Sequence, residues 1–553
     1  MSDRHPDMSP LVDMTRRHET GPTRLSRPIY VERLPPCNYA CPAGENVQGW
    51  LALAQAGRDR QAWELLVRDN PMPSVHGRVC YHPCETSCNR TELDSSVSIH
   101  SVERYLGERA VAEGWALPIE GSPSGKRVLV VGAGPSGLSA AYHLARLGHQ
   151  VEIHEAGPLP GGMLHFGIPA YRLPRDILLA EIARIEKMGV TILLNHKVTD
   201  LLAEQKAGNF DAIFVAIGAQ AARHIDIPAR DAAHVVSAVS LLHEVGAGSM
   251  PKIGRRVVIY GAGDTAMDAA RTAKRLGAED AMIVYRSDRA HMRAHPDEIA
   301  EALSEGITIK WLSSLRDIAP GTLKVELMTL DDKGVPQPTG EFETLQADSV
   351  ILSLGQQAES GFLSGIAGIE IEANGTVLIG PDMMTGHPGI FAGGDMVPDS
   401  RTVTSATGHG KRAARNIDGW LRGVAYVHPA PHPGVSFADL HLPIYADAAR
   451  AQQAEIAPEL REGFAEVTAG LSAAEAHHEA KRCLSCGNCF ECDNCFAACP
   501  ETAIVKLGPT KGYEIDTARC TGCSVCVDQC PCDAMEMVPE AMMPEAVMKE
   551  RAL

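Results

Sequence analysis

Residues Val128 to Glu155, VLVVGAGPSGLSAAYHLARLGHQVEIHE, decide the fold. Four apolar residues, Val128 to Val131, run straight into Gly132, Gly134 and Gly137 at the spacing G-x-G-x-x-G, which predicts a buried strand, a tight turn and a helix. Gly132 allows the turn, Gly134 lets backbone approach a pyrophosphate, and Gly137 lets helix pack on strand; Pro135 and Ser136 belong to the same loop. The helix N-terminus offers amide donors to phosphate. Glu155 closes the following strand, where an acid holds a ribose hydroxyl. A glycine turn that serves packing alone is the competing reading, and strand, loop, helix, second strand and terminal acid in register speak against it.

A second copy follows as RVVIYGAGDTAMDAARTAKRLG, from Arg256 to Gly277. Gly261, Gly263 and Ala266 give G-x-G-x-x-A around Asp264 and Thr265, and the next strand, AMIVYR, ends in Arg286. An acid there would suit NAD, whereas an arginine can hold the 2'-phosphate of NADP; an ordinary surface charge is the alternative. Two such units imply two dinucleotides. Between and after them lie PGGMLHFGIPAYRLP from Pro160, with Gly162 free for close ligand approach, and buried strands ending in Gly218 and Gly355. GIFAGGD closes on Gly394 and Asp395, and TVTSATGHGKRAA, with Thr404, opens a helix. Asp395 can bond the ribityl chain of a flavin or merely cap that helix, whose N-terminus can stabilise negative charge on a reduced isoalloxazine.

A chain of 553 residues is too long for one core and suggests three or four domains. Its net charge of -18 argues against nucleic-acid binding. No apolar run is long enough to span a bilayer, and residues 1 to 19 lack a secretory signal's apolar core, so a cytoplasmic location is expected. Of 16 cysteines, five lie between Cys37 and Cys88 and eleven between Cys483 and Cys532. That segregation, with C-x-x-C runs, points to metal rather than to disulfides.

The tail carries C-x2-C-x2-C-x3-C-P twice, the mark of a two-cluster ferredoxin in which the last cysteine of each run serves the other cluster. Cys489, Cys492, Cys495 and Cys530 are expected to hold one [4Fe-4S] cluster, and Cys499, Cys520, Cys523 and Cys526 the other. Cys483, Cys486 and Cys532 are left over, as spare thiols or as a shifted frame. Near the N-terminus the five cysteines flank a helical pattern with Trp50, Leu51, Leu53, Trp63, Leu65 and Leu66, and one cluster is the economical count. Glu103 is a further carboxylate ligand or a solvated helix residue.

With these pieces in place, residues 37–420 resemble the glutamate synthase small subunit, the flavin region of dihydropyrimidine dehydrogenase and NADPH:ferredoxin oxidoreductases. CYHPCETSC from Cys80, VLVVGAGPSG, PGGMLHFGIPAYRLP, YGAGDTAMD and IFAGGD carry the resemblance. It implies FAD on the first unit and NAD(P)H on the second, inserted one. Such proteins carry a longer leading cysteine run and two N-terminal clusters; here the run is reduced to Cys37 and Cys41, which predicts that one cluster is missing. Their crossed ligation implies Cys41, Cys80, Cys84 and Glu103 for the survivor. They usually have two arginines where this chain has Arg286 and Ser287. The ferredoxin tail is similar to those of flavoproteins that serve 2-oxoacid oxidoreductases.

The expected architecture is multidomain, with two Rossmann-like α/β domains, one inserted in the other. An arm spans 1–30 and a helical iron-sulfur domain 31–115. The FAD-binding domain covers 127–225 and 346–423 around an NAD(P)-binding domain at 226–345. A linker at 424–475 with a helix near Ala451 to Arg461 leads to an α+β ferredoxin domain at 476–540 and a tail at 541–553. Disulfide reductases share the two-nucleotide plan but need a dithiol beside the flavin, and no cysteine lies between Cys88 and Cys483. Electrons are therefore expected to leave through the clusters, with no residue named as an acid-base catalyst and no evident pocket for an organic substrate. The partner is a catalytic subunit of a larger oxidoreductase or a soluble ferredoxin. A free-standing oxidoreductase and a docking subunit with a vestigial flavin are the alternatives.

Overall fold

The computed structural model describes residues 24–222, 235–442 and 446–540. Val128 to Val131 form the middle of a five-stranded parallel sheet. Its spatial order is Ile390–Ala392, Ala212–Val215, Arg127–Val131, Gln150–His154, Thr191–Leu193. Val131 pairs with His154 on one side and Val215 on the other. The central strands are apolar at successive residues because helices cover the sheet, as parallel sheets require. The helices Pro135–Arg146 and Val403–Arg422 pack against each other. Gly410 sits where a Cβ would meet the Ser136 carbonyl at 2.3 Å, which sets how closely they approach.

The second parallel sheet runs Thr308–Lys310, Asp280–Val284, Arg256–Tyr260, Ser349–Leu352, Val235–Ser237. Ser349–Leu352 was expected in the first domain, from residue 346 onward. It instead hydrogen-bonds between the strands at Val258 and Val235, so the return to the first sheet comes later. The reason is that Val350, Ile351 and Leu352 are an apolar run that fits either sheet; register with its neighbours decides. Gln356–Gln357 pairs antiparallel with Ala221–Ala222, forming a two-stranded ribbon at the crossing. A meander of Ser313–Ala319, Thr322–Leu330 and Pro336–Gln346 covers the second sheet, with Leu315, Ile318 and Val325 buried against Val258, Val284 and Val350.

The N-terminal layer is helical, with Val47–Gln55, Asp59–Leu66, Pro73–Val79 and Ile99–Ala112 its longer elements. Trp50, Leu51, Trp63 and Leu66 are fully buried, while Leu53 and Leu65 are half-buried. The layer is welded to the first sheet: the Tyr142 hydroxyl donates to the Val67 carbonyl at 2.5 Å, and the Ser74 amide to Glu181 at 2.9 Å.

Part of the expected arm, Ser26–Tyr30, is a strand paired antiparallel with Met535–Pro539 of the cysteine-rich tail. Residues 1–23 and the expected tail at 541–553 lie outside the described residues. The helix expected near Ala451 to Arg461 is absent; the segment is extended, with one turn of 3-10 helix at Pro458–Leu460. Its backbone finds partners elsewhere, the Ala451 amide on Glu479 and the Ile456 amide on Val467, so it wraps rather than coils. Among the described residues no helix is long and apolar enough to cross a membrane.

Candidate functional site

The first glycine loop is built for a ligand that comes close to backbone. Gly132 has φ +104°, and a Cβ there would meet the Ala216 carbonyl at 2.5 Å; one on Gly137 would meet the Gly132 carbonyl at 1.9 Å. Gly134, between them, faces open space, and Gly162 approaches its Cα to 3.0 Å of a virtual Cβ. Glu155 is fixed at its strand end by the Ala133 amide at 2.8 Å and the Gly157 amide at 2.7 Å, each carboxylate oxygen keeping capacity for a further hydroxyl. Gly218 lies beyond its strand with φ +69° and open space around it.

Gly394 closes the cradle, with a virtual Cβ 3.0 Å from that of Ser136, and the Ser136 hydroxyl is buried without a partner. The Asp395 carboxyl makes no hydrogen bond within the described residues, and burial pushes its pKa up to about 6. An orphaned hydroxyl and an orphaned carboxyl beside a glycine-lined groove fit a flavin dinucleotide with many hydroxyl groups. His409 was not anticipated. It accepts from the Gly394 amide at 3.0 Å and pairs with Asp399 at 2.8 Å, so it holds the turn that presents Asp395. A histidine nearly two turns into a helix gives no sequence signal for that role.

The second loop repeats the design. Gly261 has φ +131°, with a virtual Cβ 2.1 Å from the Ser353 carbonyl; Gly263 is open, and Ala266 is fully buried where the helix packs. Asp264 accepts from the His295 amide at 2.7 Å, and Thr265 from Gln356 at 3.4 Å. Arg286, past the strand end, is exposed and has no ion pair among the described residues. Next to it the Ser287 hydroxyl is buried and unpartnered. Arg172 joins the two units, meeting Asp268 at 2.9 Å and Glu298.

The cysteine-rich tail gathers its thiols into two cavities. Cys489, Cys492, Cys495 and Cys530 line one, with Tyr30 and Phe490; Cys499, Cys520, Cys523 and Cys526 line the other, with Pro28 and Ile504. Within the first C-x-x-C of each set, Glu491 (φ 60°) and Gly522 (φ 71°) are left-handed, which turns both sulfurs inward. The Ala534 and Ala503 amides donate to Cys530 and Cys499, each at 3.3 Å, one half repeating the other. Cys532 also borders the first cavity, its sulfur 3.8 Å from that of Cys530, and it donates to the Asn488 carbonyl at 3.3 Å.

In the N-terminal layer Cys41, Cys80 and Cys84 gather near Glu103: burial pushes the three thiols up, and Glu103 beside Cys41 and Cys80, and Cys80 and Cys41 beside Cys84, push them further. Glu103 is not a solvated residue: it is 6% exposed, accepts from Asn70 at 2.7 Å, and burial with the nearby Glu45 carboxylate holds its carboxyl well above the ordinary range. Three thiols and a buried carboxyl fit a cluster's donor set. Thr404 does not turn its hydroxyl to the open cradle. It donates to the Cys80 sulfur at 3.0 Å.

Residues 126–410 match the model of the pyridine nucleotide-disulphide oxidoreductase family. Residues 26–115 match dihydropyrimidine dehydrogenase domain II, 4Fe-4S cluster, and residues 488–534 a 4Fe-4S dicluster domain. The chain is 35% identical to the NADP(+)-dependent formate dehydrogenase subunit beta of Moorella thermoacetica, over 82% of this chain and 70% of that one. It is 32% identical to the NADPH-Fe(3+) oxidoreductase subunit beta of Geobacter sulfurreducens, covering 84% and 77%. It is also 32% identical to the glutamate synthase [NADPH] small chain of Escherichia coli, covering 70% and 89%, in line with the resemblance read from the motifs.

Proposed function

Because the chain belongs to the pyridine nucleotide-disulphide oxidoreductase family, as an oxidoreductase with FAD, NAD(P)H and 4Fe-4S sites, we propose that it is the electron-transfer subunit of a larger oxidoreductase. A bound flavin would supply hydride exchange with NAD(P)H, and clusters held by the thiols would supply one-electron transfer. Gly134 and Gly162 admit the flavin pyrophosphate, Glu155 its adenosine ribose and Asp395 its ribityl hydroxyls. Gly261 and Gly263 do the same for the nicotinamide dinucleotide. Arg286, free of partners, with the spare Ser287 hydroxyl, favours a 2'-phosphate and hence NADPH.

One observation carries the reading: the helix Val403–Arg422 that closes the flavin cradle also donates the Thr404 hydroxyl to Cys80. Flavin cradle and thiol site thus share one rigid element. No cysteine lies between Cys88 and Cys483, so the dithiol route of the family's disulphide reductases has no counterpart. The partner is a catalytic subunit, a 2-oxoacid oxidoreductase being one such class. Anaerobic titration of the purified chain with NADPH and NADH tests this. Bleaching of flavin and iron-sulfur absorption, stronger with NADPH, is expected; iron centres that stay oxidised under excess NADPH refute it. Co-purification with larger subunits separates this reading from a free-standing enzyme.

A further inference from the structure

Four thiols that the sequence left without a role meet in one place. Cys37, Cys88, Cys483 and Cys486 line a single cavity, although the first two belong to the N-terminal layer and the last two lie some 400 residues further on. Like each of the two ferredoxin cavities, it is lined by at least four cysteines. Pro36, Leu51, Val97, Ile99 and Leu484 give it apolar walls, and Gln48, Asn89 and Arg90 also line it.

The turn that presents Cys483 and Cys486 has the ligand geometry of the ferredoxin runs. Ser485 occupies the third position of its C-x-x-C with φ 52°, as Glu491 and Gly522 do in theirs. It is fully buried, in a left-handed conformation that a residue with a side chain adopts at a cost. The Ser485 amide donates to the Cys483 sulfur at 3.4 Å and Asn89 to the Cys486 sulfur at 3.5 Å. The segment is also fixed from outside: Arg90 donates to the Arg482 carbonyl at 2.5 Å, and Arg482 donates to the Ser96 carbonyl at 2.9 Å.

We infer that Cys37, Cys88, Cys483 and Cys486 bind a fourth [4Fe-4S] cluster that joins the N-terminal layer to the ferredoxin tail. This goes beyond the single N-terminal cluster expected from the motifs, and it rests on reading the chain as an iron-sulfur carrier. Cys37 and Cys41 are one helical turn apart, as are Cys84 and Cys88, so each pair feeds two adjacent sites. Cys486 and Cys489 are three residues apart and feed the next two. The site is the missing member of a series from the Thr404 helix to the tail.

The test is iron and acid-labile sulfide per full-length chain after anaerobic reconstitution, with FAD measured alongside. About sixteen iron atoms are expected in the unaltered chain, about twelve in Cys483→Ala/Cys486→Ala, and about sixteen in Cys532→Ala, with FAD unchanged throughout. An unaltered chain holding about twelve, or a double variant holding as many as the unaltered chain, overturns the inference. If the double variant fails to fold, the unaltered count decides. A chain with about twelve that still bleaches with NADPH sinks this site alone; one that binds no FAD and does not bleach sinks the proposed function.

Discussion

Replacing Asp395 by Asn separates binding from stability. The carboxyl is half-buried and makes no hydrogen bond among the described residues, and its partial burial raises its pKa from the ordinary 3.8 to about 6. A carboxyl raised in the folded state adds stability below its unfolded pKa, and that stability is lost as pH climbs through about 6. The distance between the two values corresponds to about 3 kcal/mol, or about 2 kcal/mol after allowance for partial contact with water. Asp395→Asn removes the cost of an ionised, unpartnered group. Above pH 6.5 the apo variant is therefore expected to be more stable than the parent by about 2 kcal/mol, and at pH 4 the two should coincide. Binding changes the other way. A carboxylate accepting from a ribityl hydroxyl is worth about 1 to 1.5 kcal/mol more than a neutral amide in its place, so FAD affinity at pH 7.5 should fall about tenfold. Below pH 6 the parent must release a proton to bind, and its Kd should rise about tenfold per pH unit while the variant's stays level. Denaturant unfolding of the apo chains across pH 4–8 and fluorescence titration with FAD measure both effects. A variant no more stable at pH 7.5, with parental FAD affinity, would refute the placement of Asp395 against the flavin.

Thr404→Val removes the hydroxyl that donates to Cys80 at 3.0 Å, and the bond favours the more negative, reduced state of whatever that sulfur ligates. A loss of about 1 to 1.5 kcal/mol lowers one midpoint potential by about 40 to 60 mV, read by EPR-monitored redox titration; an unchanged potential rejects the coupling. Arg286→Ala should raise the Kd for NADPH about tenfold and leave that for NADH within twofold, as isothermal titration would show. Arg172→Leu takes from Asp268 its ion-pair partner and leaves Glu298 only the longer contact to Arg271 at 3.5 Å, at a cost of about 3 to 5 kcal/mol. Burial pushes the Glu298 pKa up to about 7, so this Tm deficit should grow as pH rises through 7 and shrink below it.

The glycine loops were legible because their chemistry is local: Gly132, Gly137 and Gly261 each fill a space or a φ that no other residue tolerates. The ferredoxin doublet is equally local, its ligands repeating within one short run. What the sequence hid was non-local. SVIL at 349–352 carries no mark of which sheet it joins, and the wrapping segment at 446–472 has helix-friendly alanines whose backbone partners lie on other elements. Glu103 looks like a surface residue in VSIHSVER until the fold buries it beside Asn70. Cys483 and Cys486 precede the ferredoxin motif, and only the packing of Arg90 and Arg482 places them opposite Cys37 and Cys88. The hydroxyl of Thr404 was legible as part of a helix start but not as a donor to a thiol.

The pairing of Ser26–Tyr30 with Met535–Pro539 sets a timetable for synthesis. The first strand leaves the ribosome some 500 residues before its mate, a wait of roughly half a minute to two minutes at about 5 to 20 residues per second. Throughout that interval it is a bare edge, open to any other strand in the cell. Completion of the last strand therefore does more than finish the ferredoxin: it retires a site for aggregation, and a chain released short of Met535 would keep a chaperone's hold.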